Sequence, residues 1–324
     1  MRNRGNKIFL LLAIFIFAGC GKQETQKFST AAETDTETEL VSQAETEIPN
    51  GVQSEEDNTI FSVGDTEEPR EIFIDSTGDT LEKRIHPPAG YERIPGGPDS
   101  FTEFLRKYPL KEDQSPVLLY DGSEKGNQSA HQAVFALPIE NEDLQQCADS
   151  VMRMYGEYFY GTGQQDKIEF HFTNGFLAEY EKWRDGGRIQ VSGDSVSWVQ
   201  SEDYDDSYEN FRKFMRTVFI YAGTLSMEGE SREIEMEEIL PGDVFLKGGN
   251  PGHVVLVVDV CENSEGKKAF LLGQGYMPAQ EFHVLKNSLH TDNPWYFEEE
   301  ATYPFETPEY VFPRGSLKRL CYLD

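Results

Sequence analysis

Two adjoining segments in the second half of the chain constrain its fold most. The first, residues 240–246, reads LPGDVFL, and the second, residues 252–259, reads GHVVLVVD. A strand that is apolar on both faces is typical of the centre of a sheet that is covered on both sides. His253 stands at the start of this strand, and a titratable ring at the rim of a rigid core suits a catalytic base. The alternative is a histidine that merely ends a turn.

Periodicity in the rest of the chain indicates helices mixed with mostly antiparallel strands. Apolar residues recur at three- and four-residue steps over 141–160 and 207–222, which predicts two strong helices. Shorter helices are predicted at 100–108 and 176–184, and residues 185–206, rich in Gly, Asp and Ser, receive no element. Strands are predicted at 116–120, 131–139, 167–173, 243–247, 253–260, 268–274 and 283–285. This mixture predicts an α+β domain.

The first twenty residues resemble the signal of a bacterial lipoprotein. Arg2, Arg4 and Lys7 precede an apolar stretch, residues 8–18, that is too short for a stable membrane span. Cys20 follows it directly after a glycine, which is similar to a lipobox. The resemblance implies a lipidated Cys20 and a lipid-anchored protein on the extracytoplasmic face of a bacterial cell membrane. An ordinary secretory peptide cleaved nearby is the alternative.

An acidic segment separates this signal from the folded region. Residues 21–75 are rich in Glu, Thr, Ser and Asp and contain few aromatic residues. Such a segment buries too little apolar surface to offset its ordering entropy. We therefore expect a disordered tether at 21–75 and a single α+β domain at 76–324.

Charge and cysteine usage narrow the range of partners. The formal net charge is -29 and the isoelectric point is near 4.5, which argues against binding to nucleic acid or to an anionic lipid surface. Three cysteines follow Cys20, so at least one thiol is expected to be free in an oxidising compartment. No metal site and no cofactor is predicted, because neither the cysteines nor the histidines show metal-ligand spacing. A disulfide between Cys261 and Cys321 stays open.

Five short segments between residues 86 and 322 carry a specific pattern. They are LYDG at 119–122, DLQQCAD at 143–149, YAGT at 221–224, the stretch 249–259, and YMPAQ at 276–280. Together they resemble an uncharacterised bacterial lipoprotein family, domain-of-unknown-function family 4846. This family carries no established activity, so the resemblance implies membership without implying a reaction.

A second resemblance covers about residues 207–275. It rests on FMRTVFIYAGTLS at 214–226, LPGD at 240–243 and GHV at 252–254. These segments are similar to the core of NlpC-type cell-wall hydrolases, which are papain-like cysteine peptidases. The resemblance implies a papain-like core of antiparallel strands and packed helices at 207–285, preceded by an N-terminal αβ extension. It also implies that His253 is the catalytic histidine and that Gln274 orients its ring.

The chain departs from that family at the nucleophile. The family's cysteine stands at the start of the helix that here begins near Ser207, but no cysteine lies between Cys147 and Cys261. A serine at a helix start is typically an N-cap. Cys147 is a candidate nucleophile, since it precedes His253 and Gln274 in the order cysteine, histidine, polar residue, and a helix amino terminus favours a thiolate. Its position on an apolar helical stripe favours a buried core cysteine instead.

Two functions compete on this evidence. The vacant nucleophile position favours a degenerate hydrolase-like module that binds a cell-envelope component, such as a peptidoglycan peptide or glycan. The alternative is an active cysteine amidase or peptidase that acts on cell-wall peptides through Cys147 and His253. A purely structural envelope lipoprotein is a third reading. Both of the first two require the His253 ring to face a cleft rather than the interior.

Overall fold

The computed structural model describes residues 71–193 and 195–324. The predicted signal peptide with Cys20, and residues 21–70 of the predicted tether, lie outside the described residues. The helices are α1 (Leu81–Arg84), α2 (Phe101–Lys107), α3 (Cys147–Gly161), α4 (Tyr180–Arg184), α5 (Tyr208–Tyr221) and α6 (Thr224–Gly229). The strands are β1 (Tyr91–Arg93), β2 (His131–Val134), β3 (Glu169–His171), β4 (Leu177–Glu179), β5 (Gly187–Ser192), β6 (Ser195–Gln200), β7 (Ser231–Glu233), β8 (Val244–Lys247), β9 (His253–Asn263), β10 (Lys268–Gln274), β11 (His283–Leu285), β12 (Tyr296–Phe297), β13 (Phe305–Glu306), β14 (Val311–Phe312) and β15 (Leu317–Leu320). Among these helices, none combines the length and the apolar character that a membrane crossing requires.

An antiparallel sheet of nine strands forms the centre of the domain. Seven of its strands lie in the order β2-β11-β10-β9-β8-β15-β7, while β1 pairs with β9 and β12 pairs with β10. The strands β3 and β4, β5 and β6, and β13 and β14 form three separate antiparallel ribbons. Helices combined with antiparallel strands confirm the predicted α+β class.

Strand β9 is buried on both faces, as its unbroken apolar run predicts. Val254, Leu256 and Val258 belong to a core cluster on the side of α3. Val255 and Val257 belong to a second cluster, which includes residues of β13 and β14. Because α3 packs against both β9 and β10, the amino terminus of this helix is held close to one end of the sheet.

The start of α3 corrects one prediction. The helix was predicted over 141–160, but residues 141–146 form turns and the helix begins at Cys147. The backbone N–H of Gln146 donates to the carboxylate of Asp149 at 3.0 Å, a contact typical of a helix N-terminus. Cys147 is therefore the first residue of the helix, rather than one or two turns inside it.

The region 176–206 also differs from its prediction. The predicted helix at 176–184 is strand β4 followed by the single-turn helix α4, and residues 185–206, which received no element, contain the hairpin of β5 and β6. In this hairpin Ile189 lies opposite Trp198, and Val191 lies opposite Val196. These cross-strand pairs stabilise the ribbon. The sequence predicts no strand here because Gly and Asp are typical of turns and loops.

Several other element predictions are confirmed, and some need shorter bounds. Two helices and three strands agree with the predicted bounds within one residue at each end: α2, α5, β8, β10 and β11. Residue 207, the first of the predicted second helix, is the N-cap of α5. Strand β9 continues to Asn263, strand β2 ends at Val134, and β3 is limited to three residues. The predicted strand at 116–120 makes only isolated β-bridges. Near the start of the described residues, Ile74 makes another isolated bridge, to Ile85.

Candidate functional site

Three polar side chains meet at one end of the central sheet. His253 begins β9, Gln274 ends β10 and His283 begins β11, so antiparallel pairing brings all three to the same edge. His253 Nε2 lies 2.8 Å from Gln274 Oε1. The structure therefore brings together the histidine and the orienting residue that the sequence analysis named.

Two charged residues that the sequence analysis missed complete this polar network. Gln274 Nε2 donates to the carboxylate of Glu309 at 2.7 Å. Lys125 Nζ forms an ion pair with the same carboxylate and lies 3.4 Å from His283 Nε2. Both charged residues lie in irregular segments, far from His253 along the chain, and no motif marks them. Their role follows only from the tertiary contacts.

Burial determines the ionisation of this network. Burial lowers the pKa of His253 to about 4, although the hydrogen bond to Gln274 and the charge of Glu309 oppose the shift. Burial likewise lowers the pKa of His283. Burial alone would raise the pKa of Glu309, but the hydrogen bond and the charge of the Lys125 ammonium group outweigh it and lower the pKa. At neutral pH both imidazoles are therefore neutral and the carboxylate is charged.

The thiol of Cys147 lies against the start of β9. The backbone N–H of Val254, the residue after His253, is close enough to the sulfur to lower the pKa of the thiol. Tyr276 and Tyr310 are both within electrostatic reach of this thiol. Their rings also contact the His253 ring, with centroid distances of 4.8 and 4.9 Å. Among the hydrogen bonds of the described residues, none joins the thiol to the imidazole.

The end of β10 also touches the first turn of α3. A Cβ built on Gly275, the residue after Gln274, would lie 2.3 Å from Ser150 Oγ and 2.8 Å from the carbonyl oxygen of Gln146. Such distances are too short for any side chain, so the close approach requires glycine at this position. The first turn of α3 therefore contacts both β9 and the residue after β10, on either side of the His253–Gln274 pair.

The thiol is protonated in this environment. Cys147 is 8% exposed, and burial raises its pKa to about 11, with a further contribution from the charge of Asp149. The N–H groups of Ala148 and Val254 lower the pKa and offset part of this shift. At neutral pH the site therefore contains a neutral thiol and a neutral imidazole, so a thiolate forms only when a base removes the proton.

The His253 ring is enclosed and does not face an open cleft. The ring is 3% exposed and contacts Tyr276, Tyr310 and Phe312. The Tyr310 hydroxyl donates to the carbonyl oxygen of Pro251 at 3.4 Å. This bond holds the Tyr310 ring over the start of β9. A cavity of about 320 Å³ lies along residues 287–306, but its lining includes neither His253 nor Cys147. The cleft on which both the hydrolase and the binding module depend is thus absent in this closed arrangement of the described residues, so either function needs the Tyr276 and Tyr310 rings to move away from the imidazole.

Helix α5, which the resemblance matches to the catalytic helix of the hydrolase family, packs mainly on other helices. Ser207 is the N-cap of α5, since its Oγ accepts a hydrogen bond from the backbone N–H of Asn210 at 3.3 Å. Helix α5 packs against α3 and α4, whereas α3 packs against β9 and β10. The missing cysteine near Ser207 therefore says little about the chemistry beside His253.

The remaining candidate side chains have ordinary partners. Cys147, Cys261 and Cys321 are all free thiols, so the disulfide that the sequence left open is not formed. His131 contacts the carbonyl oxygen of Ser115, and His171 pairs with Glu230. Within the described residues, no group of three or more His, Cys, Asp or Glu side chains could hold a metal ion.

Comparison with known proteins bears on the family alone. No curated protein and no solved structure matches the chain. A family model described as a domain of unknown function (4846) matches residues 81–319, which include α3 and the strands that carry His253 and Gln274. The match spans most of the chain and agrees with the resemblance of the five segments. The chain therefore belongs to the domain-of-unknown-function family 4846.

Proposed function

We propose that the protein is a papain-like cysteine hydrolase in which Cys147 is the nucleophile, His253 is the general base and Gln274 orients the imidazole. One observation carries the proposal: the first turn of α3 contacts Gly275, the residue after Gln274, and α3 packs on β9, so Cys147 begins a helix at the end of the sheet where His253 lies. The bond of 2.8 Å from His253 Nε2 to Gln274 Oε1 supports the assigned roles. Thiol-dependent acyl transfer requires a nucleophile, a base that takes its proton, and a group that orients the base. Cys147, His253 and Gln274 would fill these three roles.

The reaction follows from these roles. The neutral imidazole of His253 takes the thiol proton, and the Cys147 sulfur forms a bond to the carbonyl carbon of an amide. The backbone N–H groups of Cys147 and Ala148, at the start of α3, stabilise the negative oxygen that develops. The carbon–nitrogen bond then breaks, the imidazolium returns its proton to the leaving amine, and a thioester remains. Water, deprotonated by the same imidazole, hydrolyses the thioester and releases the acid.

The packing of α3 and α5 also bears on the competing hypothesis of a degenerate module. A degenerate module was favoured because the helix start near Ser207 lacks a cysteine. Since α5 packs on other helices and α3 packs on the sheet, Cys147 is at a helix start beside the histidine strand. The order Cys147, His253, Gln274 then agrees with the order in the family that the core resembles.

The test is hydrolysis of amide bonds by the full chain. Purified cell-wall peptides are incubated with the protein, and new amino and carboxyl termini are detected by mass spectrometry. We expect cleavage that is lost in Cys147→Ala and in His253→Ala, and trapping of Cys147 by a peptide carrying a thiol-reactive electrophile. Cys261→Ala is the matched control, because Cys261 is also a buried free thiol. Cleavage that survives Cys147→Ala would contradict the proposal.

A second candidate function is a non-catalytic module that binds a cell-envelope component. The exposures of 8% for Cys147 and 3% for His253 argue against the hydrolase, because an enclosed pair has no open path to substrate, and they leave binding at the surface around His253 as the alternative. In that case retention on purified peptidoglycan persists in Cys147→Ala and weakens when residues around His253 are changed. Failure of retention, together with failure of cleavage, would leave a structural role.

Lipid attachment at Cys20 is part of the proposal, because it would hold the protein where substrates or ligands of the cell envelope are found. It rests on the basic start, the short apolar stretch and the cysteine that follows it. We expect metabolic labelling with a fatty-acid analogue in the native host and release of unlabelled protein in Cys20→Ser. Two or more acyl chains give firm anchoring, since each buried methylene contributes about 0.8 kcal/mol. Absence of label on the wild-type chain would overturn this part.

A further inference from the structure

We propose that Glu309, held by Lys125, is a positioning residue that fixes the Gln274 amide and thereby selects the Nε2–H tautomer of His253. The consequence for catalysis rests on the proposed function, whereas the effect on the tautomer does not.

The first step is the orientation of the Gln274 side chain. An ionised carboxylate accepts hydrogen bonds and donates none. The end of the Gln274 amide that lies 2.7 Å from Glu309 must therefore be its NH₂ group. This leaves the amide oxygen at the other end, 2.8 Å from His253 Nε2. Without such a partner the two ends of an amide are interchangeable, so Glu309 decides which end meets the histidine.

The second step is the tautomer of the imidazole. An amide oxygen accepts and cannot donate, so His253 Nε2 must carry the hydrogen of this bond. In a neutral ring the other nitrogen, Nδ1, then has a lone pair and no hydrogen. A lone pair at Nδ1 is what the base needs in order to take a proton from the Cys147 thiol.

His283 supports the same orientation of the amide. Its Nδ1 lies 2.8 Å from the carbonyl oxygen of Glu281, which can only accept, so Nδ1 carries the hydrogen. His283 Nε2 is then an acceptor, and it lies 3.5 Å from Gln274 Nε2. Two independent acceptors, the Glu309 carboxylate and the His283 ring, thus face the NH₂ end of Gln274.

Lys125 explains how a buried carboxylate is held in place. Its side chain is 7% exposed, and Nζ pairs with the Glu309 oxygen that also receives the Gln274 bond. A buried charge without a partner is costly, so the ammonium group keeps the carboxylate ionised at this position. Asn127 adds a bond of 3.3 Å to the second carboxylate oxygen.

The test compares Glu309→Ala with Glu309→Gln in the full chain. Glu309→Ala removes the acceptor, whereas E309Q retains an oxygen that can accept from Gln274 but loses the charge. Glu298→Ala is the matched control, because the Glu298 side chain is 7% exposed and pairs with Lys267 away from this network. Circular dichroism and gel filtration verify that each variant folds.

The primary readout is the ¹⁵N NMR spectrum of the imidazole nitrogens. We expect a pyridine-type Nδ1 and a pyrrole-type Nε2 for His253 in the wild-type protein and in Glu298→Ala. In Glu309→Ala the ratio of the Nε2–H to the Nδ1–H tautomer should fall roughly tenfold, the effect of one lost charge-assisted hydrogen bond. E309Q should stay within about threefold of the wild-type ratio. If Glu309→Ala does not fold, the Gln274 amide protons of E309Q serve instead, since loss of the charge must shift them.

Activity separates this proposal from the proposed function. If amide hydrolysis is observed, Glu309→Ala should lower kcat roughly tenfold at unchanged KM, and E309Q should restore most of it. A tautomer change in a protein that cleaves nothing would leave the positioning role intact and remove the hydrolase. An unchanged tautomer ratio in folded Glu309→Ala, or unshifted Gln274 amide protons in E309Q, would overturn the positioning role whatever the activity.

Discussion

His253 Nε2 and Gln274 Oε1 lie 2.8 Å apart, although 21 positions separate the two residues in the chain. The hairpin of β9 and β10 returns the chain to the same end of the sheet, and this explains the meeting. The Gln274 amide also donates a hydrogen bond to the Glu309 carboxylate, so this amide connects the carboxylate to the His253 ring. The same end of the sheet receives the first turn of α3, which begins with the free thiol of Cys147.

Removal of the Tyr310 ring should expose the thiol. The ring lies 4.9 Å from the His253 ring, and Tyr310 interacts electrostatically with Cys147, so we expect the ring to shield both side chains from reagents. In Tyr310→Ala we expect iodoacetamide to label Cys147 about tenfold faster, which corresponds to an opening eased by about 1.4 kcal/mol. Mass spectrometry measures the rate, with the exposed Cys321 as internal reference. Tyr204→Ala, at a ring that is 59% exposed, is the control. Equal rates in both variants would show that Tyr310 is not the cover.

A methyl group at Gly275 should displace the first turn of α3. In Gly275→Ala the new Cβ would meet Ser150 Oγ at 2.3 Å, so the helix or the end of β10 must shift. We expect a loss of about 1–3 kcal/mol in the free energy of unfolding, measured by urea denaturation, and lower reactivity of Cys147. Gly161→Ala, at the last position of α3, is the matched control because no atom lies within 4 Å of its added Cβ. That variant should be unchanged or stabilised by up to about 1 kcal/mol. A Gly275→Ala variant as stable as the wild type would refute the close contact.

Asp149 should raise the barrier to thiolate formation at alkaline pH. Burial raises the pKa of this carboxyl to about 8, and its charge raises the pKa of Cys147. Asp149→Asn should therefore lower the thiol pKa from about 11, which is seen as a lower midpoint in the pH profile of alkylation. Asp166→Asn, outside α3, should leave the midpoint in place. A midpoint that does not move in Asp149→Asn would mean that the two groups do not interact.

The same substitution predicts a change in stability with pH. A carboxyl whose folded pKa is raised above its unfolded value of 3.8 contributes stability below 3.8, and this contribution is lost as pH rises through about 8. Asp149→Asn has no proton to lose, so its free energy of unfolding should decline less than that of the wild type between pH 4 and 8. Parallel urea midpoints for the two proteins over this range would contradict the raised pKa.

His253 should act in the opposite direction. Its folded pKa of about 4 lies below its unfolded value of 6.5, so the unfolded chain binds the proton first as pH falls. The stability from the neutral ring is fully present above pH 6.5 and is lost as pH falls through 4, with a total of roughly 3 kcal/mol. Urea unfolding of wild type and His253→Gln at pH 7.5 and 4.5 measures the difference. The wild type should lose more stability than the variant, and equal losses would show that the ring titrates normally.

Sequence reasoning succeeded where the signal is local. The unbroken apolar run after His253 predicts a central strand, and β9 is buried on both faces. Side-chain caps are also local: Ser100 and Ser207 each accept a bond from a backbone N–H three residues later. Short strands such as β5 and β6 were missed because turn-forming residues dominate their composition, while only the cross-strand pairs reveal the ribbon.

The same division applies to the candidate site. Cys147, His253 and Gln274 are identified from residue type and order along the chain, with one imprecision, the start of α3. Glu309 and Lys125 stand 184 positions apart, and they meet only because irregular segments converge on the end of the sheet. No periodicity or spacing marks such a contact.

By itself, the amino-acid order determined the buried strand, the strong helices, the α+β class and the family, because these depend on patterns within a few turns or one strand. The tertiary structure alone decided that Cys147 is the first residue of α3, that Tyr310 covers His253, and that a carboxylate stands behind Gln274. The last two of these relations join segments that are distant in the chain. Sheet register and loop packing set their distances, and neither is encoded in a local pattern.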